Sequence, residues 1–157
     1  MSVLPPPFVP PPPKRSRTRQ FVSAALLSVV VLIILWSCGK GVYHNYRLSA
    51  AAIEQFHDRL NQGDFEGIYD EATDDFRRAG TRADEIKLFD MVHQKMGISG
   101  KMSAQGFHIN WRNGRLFVDQ VYETQFALGQ AQESFVWEIV QDQPRMQSYR
   151  IHSPNLQ

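Results

Sequence analysis

Four residues in segments that alternate like β-strands carry groups able to move a proton: His108, Asp119, Glu123 and Glu138. Tyr122 and Tyr149 add hydroxyl donors in the same segments. An acid or imidazole buried in a fold acquires a shifted pKa suited to proton abstraction. Strand alternation works against that use here. It sets Asp119 and Glu123 on the face away from Val118 and Tyr122, His108 away from Phe107 and Ile109, and Glu138 away from Trp137 and Ile139. All four are therefore expected on a solvated sheet face, and no residue is assigned a catalytic role. His44, His57, His93, His108 and His152 are scattered, with no pair at helical or finger-like ligand spacing. Asp90 and His93 stand three apart, but His93 borders an apolar helix stripe, which makes it a core-edge residue. Cys38 is the only cysteine, so an internal disulfide and a cysteine-based zinc site are both excluded. Serine and cysteine nucleophile signatures, glycine-rich phosphate loops and glycosylation triplets are absent from the sequence. The expectation is no metal and no cofactor.

The elements that would position these groups follow an unusual leader. "MSVLPPPFVPPPP" holds seven prolines, which fix φ and remove donors, so it should be extended and solvated. "KRSRTRQ" follows, then "FVSAALLSVVVLIILWSCG", uncharged from Phe21 to Gly39. As a helix those residues span about 28 Å, close to the roughly 30 Å of bilayer hydrocarbon. Trp36, Tyr43 and Tyr46 suit the interfacial aromatic belt at its far end. The cations before the run outweigh Lys40 and Arg47 after it, which predicts an N-in, single-pass orientation in the inner membrane. "LWSC" with Gly39 after it also resembles a bacterial lipobox, so lipid attachment at Cys38 stands as the alternative to an uncleaved anchor. In both cases the remainder of the chain lies outside the cytoplasm. That remainder is acidic. Six of the seventeen basic residues and none of the sixteen acids precede Leu48, which leaves eleven bases against sixteen acids. Such a balance argues against nucleic acid as a partner.

Residues 1–20 thus read as a cytoplasmic tail, 21–39 as the anchor, 40–49 as a juxtamembrane linker, 50–153 as one extracytoplasmic domain, and 154–157 as a tail. Within the domain, Ser49 should cap a helix whose face is Ala52, Ile53, Phe56 and Leu60, ending at Gly63. Asp64 should cap a short helix, with Phe65, Ile68, Tyr69 and Phe76 making the apolar contacts of broken helices. Thr81 should cap a third helix that buries Ile86, Phe89, Val92 or His93, and Met96 before Gly97 ends it. The period then changes from 3.6 to 2. Phe107, Ile109 and Trp111 share a face, Asn113-Gly114 marks a tight hairpin, and Leu116, Val118, Tyr122, Phe126 and Leu128 share the next face. Gly129 opens a turn, Phe135, Trp137 and Ile139 alternate, "QDQPR" turns the chain, and "MQSYRIH" is the last strand. Helices followed by an antiparallel meander predict an α+β domain, about three helices packed on a sheet of about four strands.

The stretch "FHDRLNQGDFEGIYDEATDDFR", the helix ending in "KMG" and the strands "VYETQFALGQAQESFVWEI" resemble the nuclear-transport-factor-2-like (cystatin-like) superfamily, nearest to bacterial exported or lipid-anchored domains. The resemblance covers about 100 residues, from Ala50 to about Ser153, and implies a cone in which a curved sheet wraps the helices. It further implies that a ketosteroid-isomerase-like or dehydratase-like enzyme of this fold would hold its base inside the cone. Phe107, Trp111, Tyr122, Phe126, Phe135 and Trp137 are the candidates to line a ligand pocket there, or to fill it. A fold hosts many functions, so the expectation is a membrane-anchored, non-catalytic binding or assembly module. Its partners would be the membrane and a second copy or another envelope protein. A small-ligand carrier or a cone-pocket enzyme is the alternative. The layout of tail, single span and domain also resembles the bitopic assembly subunit of type IV secretion systems.

Overall fold

The computed structural model describes residues 17–156, with side chains at 27–31, 36 and 40–156. The prolines of the leader lie outside the described residues, as do the side chains of Cys38 and of most of the 21–39 run. Among the described residues no helix is long and apolar enough to cross a membrane. The chain divides into two compact units, Met1–Gly39 and Lys40–Gln157. Helix α1 covers Arg17–Gln62, α2 Phe65–Glu71, α3 Asp74–Ala79 and α4 Arg82–Met96.

Ser49 does not cap a helix. It lies inside α1, fully buried, its hydroxyl donating to the carbonyls of Asn45 and Tyr46. Asn45 likewise donates to the Gly41 carbonyl one turn back. Residues 40–49 hold no proline, are helical as part of α1, and fall in the second unit. The other boundaries follow local chemistry. Gly63, at φ 74°, ends α1, and Asp64 accepts from the Gly67 N–H to start α2. Thr73 accepts from the Phe76 N–H at the head of α3, and Thr81 from the Asp84 N–H at the head of α4. Gly97, at φ 75°, closes α4.

Strands β1 Ser99–Arg112, β2 Arg115–Phe126, β3 Gly129–Val140 and β4 Gln143–His152 form an antiparallel meander in the order β1-β2-β3-β4. Asn113 and Gly114 turn the first hairpin with φ of 52° and 75°, and Gln141 and Asp142 turn the third with φ of 51° and 60°. Positive φ at both turn residues matches the right-handed twist of the flanking strands. Directly opposed residues share a face, so Val118, Tyr122 and Phe126 of β2 line up with Phe135 and Trp137 of β3 and with Met146 and Tyr149 of β4. All are buried. Onto this inner face pack Ile53, Phe56 and Leu60 of α1 and Phe89, Val92 and Met96 of α4. Ile86 is only half-buried and outside that stripe. Leu128 sits in the β2–β3 turn, 61% exposed, rather than continuing the strand face. Residues 154–156 form a 3-10 turn in which Asn155 Nδ2 donates to the Leu128 carbonyl at 2.6 Å.

The two edges of the sheet differ. At β4 the Thr73 N–H donates to the Met146 carbonyl and the Thr73 hydroxyl to Gln147, which ties the start of α3 to that edge. At β1 nearly every residue is solvent-facing, and the strand carries two register shifts against β2.

Candidate functional site

The inner face carries a group of polar side chains that strand alternation could have revealed. Glu133 lies two residues before Phe135, so a period of two puts it on the same face as Phe135 and Trp137. His57 lies four residues after Ile53 and three before Leu60, on the apolar stripe of α1. Neither residue belongs to a sequence motif, so this spacing is the one local signal that marks them. In the structure Glu133 is 0% and His57 3% exposed, and they meet with Nε2 2.8 Å from Oε2.

The hydrogen-bond geometry fixes much of the protonation. The Nδ1 of His57 is 2.9 Å from the Ile53 carbonyl, which can only accept, so Nδ1 carries a proton. The Nε2–Oε2 contact then holds one further proton, shared between imidazole and carboxyl. Thr124 donates to Oε2 at 2.5 Å and Tyr149 to Oε1 at 2.7 Å. Three groups thus converge on one carboxyl, an arrangement that suits a carboxylate facing an imidazolium. Burial, then the charge of Glu133 and its hydrogen bond, push the Tyr149 phenol well above its ordinary pKa, so it keeps the proton it donates. Chemically the quartet links α1, β2, β3 and β4 through a satisfied buried network, which rigidifies a core.

Around it the core is filled. The Phe56 ring lies 5.2 Å from Phe135 and 4.8 Å from Tyr149, and Trp137 stacks on Phe135 at 5.9 Å. Tyr122, Phe126, Phe135 and Trp137, four of the candidate pocket residues, are buried there. Burial pushes the Tyr122 phenol up to about 12, with Tyr46 and Glu54 adding to the effect. Under α1 a partly open cavity of about 50 Å³ lies between Phe56, Ile68, Trp137 and Met146, with the Arg59–Glu71 pair, at 2.5 Å, also in its lining. That is far below the roughly 300 Å³ at which small-molecule sites begin. Gln120, also on this face and 1% exposed, has no partner for its side-chain amide among the described residues, and nothing in the structure explains it.

Phe107 and Trp111 do not join this core. They are 50% and 69% exposed, although their register with Gln120 and Leu116 puts them on the inner face. The physical reason is coverage. The buried core runs over β2 to β4, and on β1 Met102 alone among the partly buried hydrophobics packs against it. The strand acids are placed as alternation requires. His108 and Glu123 are exposed, and Asp119 is half-buried, accepting from Asn110 Nδ2 at 3.0 Å. Glu138, also on the outer face, is 8% exposed because Arg115 covers it with paired bonds of 2.6 and 2.5 Å. Arg115 also donates to Asp75 at 2.7 Å, and this bond, with a second from Arg78, holds the Asp75 carboxyl below its ordinary range. No group of three or more metal-ligating side chains exists among the described residues.

Compared with known protein families the chain matches none, and no curated protein matches it either.

Proposed function

We propose that the chain is a membrane-anchored module whose extracytoplasmic domain binds or assembles with another envelope component, or with its own copy, and performs no chemistry itself. The domain is read as nuclear-transport-factor-2-like, held by residues 21–39 with the N-terminus cytoplasmic. The observation that carries the non-catalytic reading is the state of Glu133. Its partners are all within the protein, it has no exposed surface, and aromatic side chains occupy the face where a substrate would lie. A carboxylate used for proton abstraction must come within hydrogen-bond reach of the proton it takes, and here helix α1 would first have to lift away.

Topology is the direct test. Protease added outside intact cells or spheroplasts should degrade residues 40–157 while a tag on the N-terminus survives. Mass spectrometry of the purified protein should find the proline-rich N-terminus intact. A chain beginning at diacylated Cys38 would replace the single-pass anchor by a lipoprotein anchor. Full-length protein recovered soluble from cytosol would overturn the reading altogether.

A further inference from the structure

We propose that one end of the sheet, the end carrying the β1–β2 and β3–β4 turns, rests on the headgroup layer of the bilayer that holds the chain. The proposal depends on the anchoring proposed above. In a four-stranded meander the turns at 113–114 and 141–142 lie at one end and the turn at 127–128 at the other. Helix α1 is fixed to the first end. His44 Nε2 is 3.7 Å from Asp142 Oδ1, and the Tyr46 ring is 5.1 Å from Phe107. Between them runs an open groove of about 510 Å³ lined by His44, Trp111, Leu116, Ile139 and Val140 among others.

Chain length turns that contact into a statement about the membrane. Lys40 is the first residue after the apolar run, and His44 follows it by four helical residues, about 6 Å of rise. The headgroup region on one side of a bilayer is about as thick, roughly 5–7 Å. The end of the sheet that touches His44 is therefore held at the height of the lipid headgroups.

Its surface has the chemistry that layer selects. Trp111 is 69% and Val140 37% exposed, and on α1, just before His44, Tyr43 is 62% and Val42 45% exposed. Tryptophan and tyrosine favour the interface because an apolar ring and a polar N–H or O–H are both satisfied there. Arg47 and Arg112 are exposed among them, and the part of β1 nearest this end, residues 108–112, carries His108 and Arg112 with no acid. Basic side chains beside a span attract anionic headgroups. Of the acids at this end, Glu138 and Asp75 are paired with Arg115, and Asp142 lies exposed 3.7 Å from His44. Anionic phospholipid is thus the occupant this end fits. Seated in this way, the domain has two tethers, α1 and the hairpin turns, and presents a fixed side to its partners.

The test uses the full chain in vesicles, with Cys38→Ser and one new cysteine for an environment-sensitive dye. Gln141→Cys places the dye at the proposed contact and Leu128→Cys at the far turn. Vesicles contain phosphatidylcholine with or without phosphatidylglycerol, and a trace of lipid bearing a nitroxide on its headgroup. The expected result is severalfold stronger quenching at 141 than at 128, enhanced by phosphatidylglycerol and reduced toward the 128 level by Trp111→Ala with Arg112→Gln. Equal quenching at both turns, with both open to aqueous iodide, overturns the proposal. Dye-to-dye energy transfer at 141 that disappears on dilution with lipid also overturns it, because a second copy would then cover this end. Alkaline carbonate extraction separates the two levels. A chain that resists extraction but shows no preference at 141 loses this proposal alone, and a chain that is extracted loses the anchor with it.

Discussion

Removing His57 should cost this domain a large part of its stability, and the cost should depend on what stands at Glu133. The imidazole is 3% exposed and the carboxyl 0%. Replacing His57 by leucine fills most of the volume but leaves the Glu133 carboxylate buried with two hydroxyl donors and no countercharge. Breaking a buried pair from one side costs about 3–5 kcal/mol, out of the 5–15 kcal/mol typical of a whole domain. The apparent Tm should fall by about 10–20 °C. Glu133→Gln alone should cost less, about 1–2 kcal/mol, because a carboxamide can still accept from Tyr149 while its NH2 donates to a neutral Nε2, and only the bond donated by Thr124 is lost. The double variant His57→Leu/Glu133→Gln should then be more stable than the sum of the two losses implies, by at least about 1 kcal/mol, since no charge remains to strand. Urea unfolding of the full chain in detergent, followed through Trp137 emission, reads all three, because that indole stacks on Phe135 and Phe135 lies 5.9 Å from the imidazole. Additive losses, or a single-variant cost below about 1 kcal/mol, would refute the buried pair.

Alkaline titration gives a second check. Because the folded Tyr149 phenol lies well above 10.0, its protonated state stabilises the fold fully below about pH 10 and that contribution is lost as pH rises toward the folded value. Tyr149→Phe should flatten the alkaline limb of a stability-versus-pH curve while lowering stability at neutral pH. Two glycines at φ 75° should respond differently to alanine. Gly114→Ala, with nothing within 4 Å, should cost about 1 kcal/mol from backbone strain, whereas Gly97→Ala also brings a Cβ 3.1 Å from Ala127 Cβ and should cost distinctly more in the same urea assay. Thr73→Ala removes both the α3 cap and the hydroxyl bond to Gln147, and should cost about 1–2 kcal/mol and speed amide exchange at Phe76.

Local rules carried much of this fold. Gly63, Asp64, Thr81, Gly97 and Asn113-Gly114 act within a few residues of themselves, so their turns and caps are readable without a partner. Thr73, followed by two acids, carried the same capping signal. Long alternation likewise marked the strands and put Tyr122, Phe126, Phe135 and Trp137 on buried faces. Parity also marked Glu133, and helical spacing marked His57. What neither pattern contains is their meeting, 76 residues apart in the chain, because a periodicity names a face and not the element that will cover it.

The sequence by itself determined the cationic leader, the apolar run, the breaks between helices and the alternation of the strands, since each depends on neighbours along the chain. The tertiary structure alone decided which faces are covered. Phe107 and Trp111 obey the same alternation as Phe135 and Trp137, yet they stay largely exposed because the helices pack mainly over β2 to β4 and cover little of β1. It also decided that the face holding Glu133 is covered by His57 of α1, which strand parity alone does not tell. Burial is a property of what packs on a surface, and a single chain segment does not encode its own cover.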